Sequence, residues 1–147
     1  MIIPKTRTRN FNLHEIIHRT DKFDLNQIGI AYIAMGYMQR LRDELCEKFK
    51  KDIPLKITSG HRDLEYNRSI GSKDTSYHVW RYKDGEALWA IDFEPLTISP
   101  IFVYEYLAQS PTFKGELYLH QAKDFIHIAP NGQVNRKPWI EEEKDRK

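Results

Sequence analysis

Tyr77-His78-Val79-Trp80-Arg81-Tyr82, then Lys83-Asp84-Gly85-Glu86, then Ala87-Leu88-Trp89-Ala90-Ile91-Asp92-Phe93: two β-like runs flank an Asp-Gly pair. Asp-Gly suits a tight turn that needs positive φ, so a hairpin is expected here. Its register decides which residues share a face, because side chains alternate with period two. A two-residue loop, Asp84-Gly85, would pair His78 with Ile91 and send Asp92 to the other face. A three-residue loop, Asp84 to Glu86, sets His78 directly opposite Asp92. We expect the second register, since an aspartate facing the core without a partner is costly.

Upstream, Pro54-Leu55-Lys56-Ile57-Thr58 alternates and reads as a strand delivering Ser59-Gly60 to a tight turn. Asp63 to Ser69 follows as a short helix ended by Gly71, which puts Arg62 at the junction. A surface ion pair of Arg62 with Asp63 or Glu65 would contribute little, so a functional reading of Arg62 carries more weight. Small, basic and metal-capable residues in the order Thr58-Ser59-Gly60-His61-Arg62 answer no need of a hydrophobic core.

Before that strand a long helix is expected from about Asn26 to Lys50, with Asn26 as cap. Ile30, Ala34, Met38, Leu41, Leu45 and Phe49 recur at the spacing of one buried face. Arg40, Arg42, Asp43, Glu47 and Lys48 form its solvated side. Phe11 to Ile17 is a short helical or turn segment. His14 and His18 stand four apart with Glu15 between them, a spacing that can bind metal from one helix face, but both neighbour polar residues, so polar surface residues are the expected reading. Downstream, Ser99-Pro100 opens a further helix. Glu116 to His120 and Phe125 to Ile128 make a final strand pair. The expectation is an α+β fold, a small antiparallel sheet packed against a long N-terminal helix and shorter helices. Residues 1–140 form a single domain and the charge run 141–147 a mobile tail.

At 147 residues the chain is long enough to bury a real core. A formal net charge of +2 gives no reason to expect a nucleic-acid partner, and Lys5, Arg7 and Arg9 read as a solvated arm. Cys46, the single cysteine, cannot form an internal disulfide. The N-terminus lacks the apolar run of a signal peptide, and no stretch is apolar enough to insert into a membrane. Cytoplasmic synthesis is therefore expected.

His127 sits within an apolar strand, three residues after Asp124. A lone histidine there is usually a satisfied core residue. Together with His78 and Asp92, however, it completes the donor count of an open zinc site. Three protein ligands leave a fourth position for water, whose pKa falls to ~7. A nearby carboxylate can then serve as general base, and an arginine can neutralise developing negative charge.

Ser59-Gly60-His61-Arg62, Tyr66-Asn67, Ser76-x-His78, Ala90-x-Asp92 and Phe125-Ile126-His127 resemble, in this order, the motifs of the zinc D-alanyl-D-alanine carboxypeptidase family. That family includes phage and bacterial peptidoglycan endopeptidases on the hedgehog/DD-peptidase fold. The resemblance spans roughly Phe11 to Trp139. It implies zinc ligands at His78, Asp92 and His127, and a catalytic base at Asp124. It also implies that Arg62 contacts the substrate carbonyl or carboxylate and acts in catalysis, and that Ser76 lies in the substrate site.

The chain departs from the family pattern at three points. His61 stands where Tyr or Phe is common. The separation of His78 and Asp92 is about twice the usual one, with Trp80 to Trp89 inserted as a hairpin. Ala129 stands where many members carry an acidic residue or histidine that supports the metal ligands. The implied function is zinc-dependent hydrolysis of an amide in a peptidoglycan stem peptide, as carboxypeptidase or endopeptidase. A phage lytic enzyme acting on the wall after release is one setting, and a monomer is expected. The alternative is a non-catalytic, zinc-stabilised wall-binding module on the same fold.

Overall fold

A computed structural model describes residues 8–17, 24–132 and 135–140. Lys5, Arg7, His18 and the 141–147 tail lie outside the described residues. The chain runs α1 (Leu13–Ile16), α2 (Leu25–Phe49), β1 (Leu55–Ser59), α3 (Leu64–Ser69), β2 (Arg81–Lys83) and β3 (Glu86–Leu88). It continues through β4 (Ile91–Pro95), α4 (Pro100–Gln109), β5 (Glu116–His120), a short 3-10 segment (Gln121–Lys123), β6 (Phe125–Ala129) and β7 (Asn135–Ile140). The class is α+β, as expected.

The buried residues of α2 are Ile30, Ala31, Ala34, Met35, Met38, Leu41 and Leu45, one face at helical spacing. Its cap is Asp24 rather than Asn26. The Asp24 carboxylate accepts from the Gln27 amide at 3.0 Å, and the Gln27 side chain accepts from the Asp24 amide at 3.0 Å. This reciprocal box satisfies two helix-end donors, which Asn26 inside the first turn cannot do. The buried face of α2 joins Ile91, Phe93, Leu117, Leu119, Ile126 and Ile128 in one core. Each isoleucine, leucine, methionine or phenylalanine among them contributes about 1.5–3 kcal/mol when fully buried.

Five strands form the main sheet in the order β1-β4-β6-β5-β7. All neighbours are antiparallel except β5 and β7, which are parallel. The strand β7 was not anticipated. Central β4 and β6 are almost wholly buried, so their sequence shows little of the alternation that marks a half-exposed strand. Among the described residues no helix is long and apolar enough to cross a membrane.

The hairpin is a separate two-stranded sheet, and its register is not the expected one. Arg81 pairs with Leu88, Tyr82 with Ala87 and Lys83 with Glu86, leaving the two-residue loop Asp84-Gly85. Both loop residues have positive φ, 53° and 81°, the conformation that Asp-Gly accepts readily. His78 and Asp92 nevertheless meet, for another reason. The hairpin ladder stops at Leu88, His78 lies in the turn before β2, and Asp92 belongs to β4 of the main sheet. The hairpin register therefore never reaches either residue.

Candidate metal centre

Four adjacent strands place Ser59, Asp92, His127 and Tyr118 side by side: Ser59 pairs with Asp92, Asp92 with His127, and His127 with Tyr118. The β1–β4 register shifts between Ile57 and Ser59, so Thr58 is the extra residue of a bulge and Ser59 takes the position opposite Asp92. His78 reaches the row from its turn. Its amide donates to Ser76 Oγ at 3.2 Å, and its carbonyl accepts from the Arg62 amide at 2.8 Å. Its ring Nδ1 lies 2.9 Å from the Gly60 carbonyl. Gly60 is required there, because a Cβ would stand 2.1 Å from the Ile16 carbonyl oxygen.

The hydrogen bonds assign the ring nitrogens. A carbonyl only accepts, so His78 Nδ1 carries the proton and Nε2 faces Asp92 Oδ1 at 3.2 Å. His127 Nε2 lies 2.8 Å from Glu116 Oε1 and Nδ1 lies 2.8 Å from Asp92 Oδ1, so both nitrogens donate in the protonated ring. In the neutral ring with its proton on Nε2, the Nδ1 lone pair faces Asp92. In the neutral rings, three lone-pair atoms thus converge: His78 Nε2, His127 Nδ1 and Asp92 Oδ1. One ligand atom from each residue lies within 4.8 Å of the others. A cation relieves the repulsion among them. Two imidazole nitrogens and one carboxylate oxygen are also a donor set that suits a three-ligand zinc site.

All three side chains are buried. Burial opposes ionisation of Asp92, but His78 and His127 outweigh it and hold the carboxyl well below the usual range. Burial pushes His78 down despite the attraction of Asp92. Burial also opposes a proton on His127, yet hydrogen bonds to Asp92 and Glu116 prevail and raise its pKa.

Arg62 is no surface residue. It is 8% exposed, and Nη2 lies 4.0 Å from Asp92 Oδ2. Nε donates to Ser59 Oγ at 3.2 Å, and Nη1 to Asn67 Oδ1 at 3.4 Å and Ser72 Oγ at 3.5 Å. Asp63 caps α3 instead, accepting from the Tyr66 amide. The structure thus brings together His78, Asp92, His127 and Arg62, with Ser76 bonded to the His78 backbone.

Asp124 is exposed in a left-handed turn (φ 55°) at the entry to β6 and makes no hydrogen bond to the three clustered residues. Two residues that sequence reasoning passed over touch the cluster instead. Glu116 accepts from His127, and Tyr118 stacks on the His127 ring with centroids 5.0 Å apart. The period-two spacing of Glu116 and Tyr118 was the available signal, but only the β5–β6 register aims it at His127. His61 is buried against Trp80, with ring centroids 5.3 Å apart.

An α+β domain with a buried His-Asp-His cluster beside an arginine has the makings of a metallohydrolase. The family model described as Peptidase M15 matches residues 9–129, and the chain belongs to that family. Its members are zinc-dependent metallopeptidases, and His78, Asp92 and His127 offer the ligand atoms such a metal needs. No curated protein matches the chain significantly.

Proposed function

We propose that the chain hydrolyses an amide bond of peptidoglycan stem peptides, with zinc held by His78, Asp92 and His127. The observation that carries this reading is the convergence of one ligand atom from each of three buried side chains, His78, Asp92 and His127. Zinc at such a site supplies Lewis-acid activation of water and of the scissile carbonyl. Arg62, braced by Ser59, Asn67 and Ser72, offers fixed positive charge to a substrate carboxylate or carbonyl. Ser76 Oγ accepts from the His78 amide and keeps its own proton to donate to substrate. The Asp124 carboxylate, exposed and unengaged with the cluster, takes the proton of the attacking water and passes it to the departing amine.

Purified sacculi or muropeptides digested with the zinc-loaded protein, followed by mass analysis, should yield new amine and carboxyl ends. Intact muropeptides with zinc bound would overturn the enzyme reading. One observation favours the second reading, a zinc-stabilised wall-binding module: no hydrogen bond ties Asp124 to the cluster. Asp124→Ala separates the two. The enzyme loses turnover by roughly 10²–10⁴-fold while keeping zinc, whereas a binding module keeps its full affinity for wall fragments.

A further inference from the structure

We propose that Glu116 is the positioning residue that makes Nδ1 the metal-facing atom of His127. The role rests on the ligand assignment proposed above. The β5–β6 register sets Glu116 opposite Ala129, two residues beyond His127 on the same strand. Alanine leaves that side of the sheet open, and the longer Glu116 side chain crosses it to bring Oε1 within 2.8 Å of His127 Nε2. Its other oxygen is also engaged, because the Tyr118 hydroxyl donates to Glu116 Oε2 at 3.3 Å. Tyr118 in turn lies against the His127 ring, with planes 17° apart. When Nδ1 gives its lone pair to a metal, Glu116 therefore holds the remaining proton on Nε2, and the aromatic face fixes the tilt of the ring.

Glu116 is thereby distinguished from a general base. Both of its oxygens are committed, one to a ligand ring and one to a phenol that is itself part of the brace. A carboxylate behind a ligating imidazole raises ligand basicity and holds the ring, and losing such a partner typically weakens metal binding about 10- to 100-fold. The arrangement also explains how the chain supports His127 with alanine at position 129: the carboxylate arrives from the neighbouring strand.

The test compares the full chain with Glu116→Gln and Glu116→Ala, reading zinc Kd by chelator competition and the His127 ring-nitrogen NMR shifts of the zinc-loaded proteins. Glu116→Ala should weaken zinc about 10- to 100-fold and give His127 a mixture of tautomers. Glu116→Gln, nearly the same size, should fold like the parent and fall between. A zinc Kd unchanged from the parent in both variants overturns the role while leaving the metal site standing. Loss of turnover with zinc affinity and tautomer intact also overturns it, because Glu116 then acts on the reaction directly. A parent that binds no zinc, or a His127→Ala variant that binds it as tightly as the parent, overturns the metal site and this role with it.

Discussion

His127 carries two opposed demands, and they predict how zinc and pH interact. Its pKa is raised in the folded, metal-free protein because bonds to Asp92 and Glu116 outweigh burial. That contribution to stability is fully present below the unfolded histidine value of about 6.5 and is lost as pH rises through the raised folded value. Zinc displaces the proton from Nδ1, so its stabilisation runs the other way, growing with pH and shrinking in acid. Thermal midpoints with and without zinc, from about pH 5 to about pH 8, check this across the histidine range; a zinc increment that grows toward acid contradicts it. Arg62→Lys makes a second prediction at this scale. Lysine cannot reproduce the fork held by Ser59, Asn67 and Ser72, so kcat/KM should fall about 10²-fold or more while zinc remains bound. Residue identities were the most legible part of the site: His78, Asp92, His127 and Arg62 stand in recognisable local patterns. Glu116 and Tyr118 were not, because nothing near them in the chain reveals that they face His127.

The hairpin and the Gly60 turn separate two kinds of glycine. Gly85 has φ 81° and open space around a would-be Cβ, so Gly85→Ala meets only the backbone penalty, about 1–2 kcal/mol. The thermal midpoint should drop with zinc affinity intact, because the hairpin register does not extend to His78 or Asp92. Gly60→Ala instead drives a methyl into the Ile16 carbonyl and displaces the oxygen that accepts from His78 Nδ1. Stability and zinc affinity should fall together, as melting and chelator titration would reveal; unchanged zinc affinity would contradict that link. Asp-Gly announced the hairpin correctly. Its register differs from the expected one because the two runs are not one continuous ladder: the chain leaves the hairpin at Trp89-Ala90 to enter the main sheet. A local turn signal does not say where a ladder ends.

Across the whole molecule, a single core joins the α2 face to the central strands that carry Asp92 and His127. Met38 is fully buried in it, so Met38→Ala should cost about 2–5 kcal/mol, read by denaturant unfolding. The long helix was legible because three- and four-residue spacing persists over many turns. The parallel docking of β7 beside β5 was not, since pairing of distant segments leaves no mark within either one. The zinc peptidase reading stands or falls on which atoms meet the metal. Anomalous diffraction at the zinc edge from crystals of the zinc-loaded protein tests it directly. The predicted result is one strong peak bonded to His78 Nε2, an Asp92 carboxylate oxygen and His127 Nδ1. A peak elsewhere, or zinc on His127 Nε2, would contradict it.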